Sequence, residues 1–173
     1  FTARRTPQAL QAWRASLSRS TTHESLILDL AEQRVRFPDL VEQLLPADPR
    51  VLIRLARERY ASADEASRRN LLLARAERNL KASDLPAAEE HYLRGCLQVL
   101  RSEKPQAIAS FQQALALADD RADWRYELAS LLRAAGRTQE ALAQARLCAQ
   151  FDRANPEYRT LFHELYREVN SAD

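Results

Sequence analysis

The sequence predicts an all-α protein built as a right-handed solenoid of antiparallel helix hairpins. Three observations predict it. Ala, Leu, Arg, Glu and Gln dominate a 173-residue chain that holds only 2 Gly, a composition that favours helix nearly everywhere. Apolar residues recur at helical spacing along most of the chain. Small and apolar residues then repeat with a period of 34 in the C-terminal half, and a fixed period of that size marks stacked helix pairs that each leave a face for the next to cover.

The elements follow in order. Pro7 suits the first turn of a helix that carries Leu10, Trp13 and Leu17 on one face, until Ser18 to Ser20 interrupt it. Thr21 with Glu24 three residues on has capping-box spacing and precedes Leu26, Ile27, Leu28 and Leu30, so a second helix is predicted there, ending before Pro38. Pro38 to Leu45 reads as a short amphipathic piece. Asp48-Pro49 then supplies an N-cap and a first-turn proline for a helix with Val51, Leu52, Leu55, Ala56 and Tyr60. Ser62 to Glu65 is a predicted turn, and Ala66, Leu72, Leu73, Ala76 and Leu80 mark a longer helix to about Lys81.

From Leu85 onward the chain repeats itself. Gly95, Ala107, Phe111 and Ala114 are matched by Ala129, Ala141, Ala145 and Cys148. The small residues predict close approach of the two helices of a hairpin, and Phe111 is expected to fill the space between successive hairpins. Ala122 to Asn155 carries Trp124 and Leu128, small Ala129, Gly136 at a turn, Glu140-Ala141-Leu142 at the start of a second helix and Phe151-Asp152 at its end. This pattern resembles the tetratricopeptide repeat family. Ala88 to Arg121 matches it at Gly95, Ala107, Phe111, Ala114, Leu115 and Leu117, with Ser102 in place of the usual turn glycine and Asp119 in place of the usual terminal proline. The organisation expected from these signals has four parts. Residues 1–48 form an N-terminal helical extension or degenerate hairpins, and 49–87 a divergent helical repeat. Two tetratricopeptide-type repeats occupy 88–155, and a capping helix 156–173, in which Leu161, Phe162, Leu165 and Tyr166 pack back on the last repeat.

Composition also excludes functions. Gly95 and Gly136 stand too far apart for a phosphate-cradling loop or a dinucleotide fingerprint. Lys+Arg 26 against Asp+Glu 24 gives a formal charge of +2, mixed along most of the chain, so no nucleic-acid partner is expected. Lys81 and Lys104 are the only lysines, an arginine skew that reads as GC-rich, bacterial coding rather than as phosphate recognition. His23, His91 and His163 occur singly, and Cys96 and Cys148 read as buried small hydrophobes, so no metal or cofactor is expected. Glu89-Glu90 and Asp119-Asp120 read as solvated charge, and Ser110, Ser130 and Cys148 have no recognisable base motif, so no catalytic residue is assigned. The chain begins at Phe1 and contains no methionine, which suggests a processed or excised piece.

The expected function is therefore a scaffold that holds another protein or a peptide. The resemblance implies that the first helix of each hairpin lines a concave groove. By position this would present Tyr92, Cys96 and Val99, then Tyr126, Ser130 and Arg133, then Thr160, Glu164 and Arg167. Tyr92 and Val99 suit packing against neighbours nearly as well. The family's clamp for chaperone tail carboxylates has Lys, Asn and Arg at such positions, and tyrosines stand at two of them here. An extended or helical peptide engaged by tyrosines is the expected ligand. A second reading makes the chain the soluble appendage of a larger bacterial membrane protein or of an envelope or polysaccharide enzyme whose chemistry lies elsewhere. The compartment, bacterial cytoplasm or periplasm, and the oligomeric state stay open. Arg4, Arg5, Arg14 and Arg19 precede the first acidic residue, Glu24. With Leu10, Trp13 and Leu17 they suit a membrane-proximal arm, or a cap docked on the next hairpin, which is the favoured of the two because solenoid ends need a cap.

Overall fold

The computed structural model describes residues 6–17 and 23–171. Among the described residues there are helices joined by turns and no strands, and neighbouring helices pack in pairs. The elements are α1 (Thr6–Leu17), α2 (Glu24–Glu32), α3 (Phe37–Asp39), a π-helical turn (Leu40–Leu44), α4 (Pro49–Glu58), α5 (Ala66–Lys81), α6 (Ala87–Leu100), α7 (Lys104–Leu117), α8 (Ala122–Ala134), α9 (Thr138–Phe151) and α10 (Pro156–Asn170). The chain divides into two compact units, Phe1–Ser83 and Asp84–Asp173.

In the first unit, the core collects Ile27 and Leu28 from α2, Leu40, Val41 and Leu44 from the π-helical turn, Leu52 and Leu55 from α4, and Leu72 and Leu73 from α5. α1 packs on the π-helical turn and buries Leu17; the side chain of Leu10 and residues Arg4, Arg5 and Arg19 lie outside the described residues. The Asp48 carboxylate accepts from the Arg50 N–H at 2.9 Å, which satisfies one of the free donors at the start of α4, and Pro49 removes another. The predicted capping box is corrected. α2 starts at Glu24 with His23 at its N-cap, and the Glu24 carboxylate is taken by both Arg54 nitrogens at 2.9 and 2.6 Å. A bidentate guanidinium outcompetes a backbone N–H for the same oxygens; Thr21 lies outside the described residues.

The same device holds α2 to α4 and α5 further along. Glu32 Oε1 accepts from the Tyr60 hydroxyl at 2.7 Å and from Arg59 at 3.0 Å, while its Oε2 accepts from Arg68 at 2.9 Å. Burial pushes the Tyr60 hydroxyl well above its ordinary pKa, and its bond to Glu32 adds to that. Burial works against the charge on Arg59, but hydrogen bonds to Asp29, Tyr60 and Glu32 outweigh it and hold its pKa raised.

In the second unit, α6 pairs with α7 and α8 with α9, each across a short turn, and α10 packs on α9. The predicted small positions sit at helix crossings: Ala107, Ala114, Ala129, Ala141, Ala145 and Cys148 are fully buried. Residue 95 shows why one must be small. A β-carbon built there would lie 2.6 Å from Cδ1 and Cε1 of the Phe111 ring, far inside van der Waals contact. Phe111 thus lies over Gly95 within its own hairpin, and the contact that crosses to the next hairpin is made by Tyr92, stacked on Trp124 at 4.6 Å. Tyr166 is likewise reassigned: it is 54% exposed, and the aromatic ring that α10 buries is Tyr158.

The two hairpin turns close in the same way with different residues. Gly136 has φ 75° and Ser102, 34 residues earlier, has φ 63°. The left-handed conformation crowds a β-carbon against backbone, so serine holds it at a cost that glycine avoids.

Two outcomes follow for stability. Gly95→Ala is expected to cost about 1–3 kcal/mol through overpacking against Phe111, and Phe111→Leu added to it should recover part of that loss, read by urea denaturation with Trp124 as the sole tryptophan in a Trp13→Phe background. Ser102→Gly should raise stability by about 0.5–1 kcal/mol and Gly136→Ser should lower it by a similar amount, by the same measurement.

Candidate functional site

The site is built on α8 and α10. Asn155 caps α10 by accepting from the Glu157 N–H at 2.9 Å, and Pro156 fixes the first turn, so α10 starts at a defined point beside α8. The Tyr126 ring on α8 meets Tyr158 on α10 with centroids 5.3 Å apart. This repeats the Tyr92–Trp124 contact one period later, since 92 and 126, like 124 and 158, are 34 apart.

Beyond that aromatic contact the two helices enclose a cleft of about 470 Å3. α8 contributes Tyr126, Ser130 and Arg133, and α10 contributes Pro156, Glu157, Thr160, Leu161 and Glu164. Leu161 is buried, Tyr126 and Ser130 are half-buried, and Glu157, Thr160 and Glu164 are exposed. The floor is therefore aromatic and aliphatic, and the rim is polar. Arg133 reaches from α8 to α10, donating to Glu164 at 2.7 Å and to Glu168 one turn on. Those two hydrogen bonds hold the pKa of Arg133 above its ordinary value. Burial raises the pKa of the Tyr126 hydroxyl, and the charges of Glu157, Glu127 and Glu164 raise it further. A second cleft, of about 360 Å3, lies where the α8–α9 turn meets the end of α10. Its Arg137 is engaged by Glu140 through two contacts of 2.7 Å.

Of the residues expected on a groove, Tyr126, Ser130, Arg133, Thr160 and Glu164 come together in the larger cleft. The others stand elsewhere. Tyr92 packs between Phe111, at 5.6 Å, and Trp124. Cys96 is buried at 8% exposure and offers no groove surface, because it faces inward on the α6 side that carries Leu93 and Leu97. Val99 is exposed on the last turn of α6, and Arg167 is exposed on α10 outside the cleft lining. Sequence reasoning did not assign Pro156, Glu157 or Glu168 to the groove, and it read Leu161 only as a residue packing on the last repeat. The signal for Glu168 was the Glu164/Glu168 pair at i, i+4, which places two carboxylates on one helix face.

Among the described residues no group of three His, Cys, Asp or Glu is placed to hold a metal ion, and no helix is long and apolar enough to cross a membrane. Cys148 is fully buried and its thiol donates to the Ala122 carbonyl at 3.4 Å. Burial pushes its pKa up to about 11, the reverse of what a nucleophile needs. No protein-family model and no curated protein matches the chain, so a functional reading rests on this chain's own residues.

Cys148 in a Cys96→Ala background should stay unmodified by iodoacetamide in the native protein at pH 8, because the thiol is buried and its pKa is raised. Alkylation should become fast only when denaturant unfolds α9. Rapid native-state alkylation at pH 8 would show instead that the thiol is accessible and activated.

Proposed function

We propose that the Asp84–Asp173 unit is a tetratricopeptide-type array of helix hairpins and that the chain is a non-catalytic scaffold holding a peptide or protein partner between α8 and α10. The cleft of about 470 Å3 carries this reading, because it gathers five side chains at positions that the tetratricopeptide resemblance implies for a groove. Support for the array comes from the repetition of whole contacts: the aromatic step Tyr92–Trp124 recurs as Tyr126–Tyr158, and the positive-φ turn at Ser102 recurs at Gly136. An extended peptide suits such a cleft. Its side chains can reach Leu161 and the tyrosines, while Ser130 and Thr160 present hydroxyls to its backbone.

Thr160 is the position to test. Tyr126 and Arg133 also tie α8 to α10, so replacing them mixes binding with packing. The Thr160 hydroxyl is exposed and donates only back to the Pro156 carbonyl of its own helix, at 2.9 Å. Thr160→Arg should fill the cleft, abolish capture of partners retained by the unmodified protein, and shift the melting temperature by less than about 3 °C. Leu117→Ser, on an exposed residue at the end of α7, should leave capture unchanged. Equal capture by all three proteins would place binding outside the cleft.

A further inference from the structure

We propose that the α8–α10 cleft is selective for a cationic segment, taking an arginine or lysine side chain of the partner over the Tyr126 ring between Glu157 and Glu164. The inference rests on the reading of the cleft as a binding groove and adds the chemistry of its ligand.

The charges decide it. The lining carries Glu157, Glu164 and a single base, Arg133. That base is already paired with two carboxylates, Glu164 at 2.7 Å and Glu168, so it brings an entering anion no net positive charge. A carboxylate or phosphate entering the cleft would meet Glu157 and the surplus carboxylate of the Arg133 pair with no new counter-charge. A guanidinium or ammonium meets the opposite situation. Glu157 and Glu164 line the cleft beside the Tyr126 ring, and after burial the charges of these two and of Glu127 raise the pKa of its hydroxyl further. A half-buried tyrosine face attracts a cation through its quadrupole, most strongly where water is partly excluded. The α10 rim then offers carboxylates for the hydrogen bonds that a guanidinium fork makes in pairs. Leu161 and Pro156 supply apolar surface along which the aliphatic stem of a long basic side chain can lie. The same arrangement disfavours the capture of a chain-terminal carboxylate, which needs uncommitted bases at these positions.

The test uses the whole chain, labelled with nitrogen-15, and three blocked hexapeptides of alternating leucine with arginine, glutamine or glutamate. The arginine peptide should shift the amide signals of Tyr126, Ser130 and Thr160. The glutamate peptide should leave them unmoved, and the glutamine peptide should bind at least about fivefold more weakly than the arginine peptide, the scale expected of two or three exposed charge contacts. Sodium chloride at 0.5 M should weaken the arginine peptide several-fold by shortening the screening length. Glu157→Gln should weaken it about threefold and Glu157→Lys about tenfold or more, with unchanged amide spectra elsewhere and unchanged melting. Equal shifts from the arginine and glutamine peptides would overturn the charge selection and leave the groove reading standing. Shifts confined to residues outside the cleft, or no shifts from any peptide, would overturn both.

Discussion

Phe111 can lie against α6 only because residue 95 has no β-carbon. The ring atoms stand 2.6 Å from where that carbon would be, so the spacing of the α6–α7 pair is set by the thickness of one aromatic ring on bare backbone. With Phe111 buried at 1% exposure, Tyr92 finds its place on the ring's near side at 5.6 Å and reaches across to stack on Trp124 at 4.6 Å with planes 9° apart. Trp124 in turn carries the Arg121 guanidinium 4.3 Å from its ring centroid. The chain of contacts thus runs from one glycine through three rings to the start of α8. The next pair reaches its own crossing by a different exchange: Ala129 and Ala145 stand at the positions of Gly95 and Phe111, both fully buried, one methyl added on one side and a ring removed on the other. The added methyl replaces far less volume than the ring removed, so at native packing density closer helix approach or other side chains must take up the difference.

The 34-residue period is why the pairing of helices was legible in the second unit, whereas in the first unit the Asp48-Pro49 start of α4 and the extent of α5 were legible but not what joins the helices. A period of 34 exposes paired small and large positions, and the pattern located the buried alanines, both turns and the first helices of both hairpins. It misplaced Phe111 and Tyr92, because spacing says which residues face inward and not which neighbour they meet. In the first unit the binding elements are ion pairs of long sequence separation. Glu24 meets Arg54, Asp29 and Glu32 meet Arg59, and Glu32 also meets Arg68. No local pattern links residues some 30 positions apart, and a chain rich in arginine and glutamate offers many such partners on paper. The cleft was half legible for the same reason. Position within the repeat named Tyr126, Ser130 and Arg133 on α8 and Thr160 and Glu164 on α10, but the places of Glu157 and Glu168 depend on where α10 begins, which the local Asn155 cap fixes, and on how it rotates against α8, which the Arg133 ion pair fixes.

The abundance of arginine also has a structural use beyond coding bias. Arg69 donates through one nitrogen to three successive carbonyls, Tyr60, Ala61 and Ser62, at 2.8 to 3.0 Å, and so satisfies acceptors after the end of α4. Arg125 does the same for the Asp119 carbonyl with two nitrogens, at 3.1 and 2.7 Å, while donating to Gln144 on α9. A planar fork with five donors can tie a loop to a helix and a helix to its neighbour at once, and an ammonium on a flexible stem does so with less geometric definition. In a chain with two glycines, whose turns rely on few special residues, arginines close loops that would otherwise leave carbonyls without donors.

The cleft exists because the second junction is a polar version of the first. Thirty-four residues before Tyr126, Ser130 and Arg133 stand Tyr92, Cys96 and Val99, and opposite them Trp124 takes the place that Tyr158 has on α10. At the α6–α8 junction the larger indole stacks flat on Tyr92 and Cys96 is buried. At the α8–α10 junction the smaller phenol meets Tyr126 at a tilt of 39°, and serine and arginine replace cysteine and valine. Charged Arg133 cannot be buried against an apolar helix without large desolvation loss, so its partners on α10 must be carboxylates in contact with water. The helices are consequently joined at two places, by rings near the start of α10 and by the Arg133 ion pairs a few turns on, with open volume between. A ligand entering that volume need break neither connection.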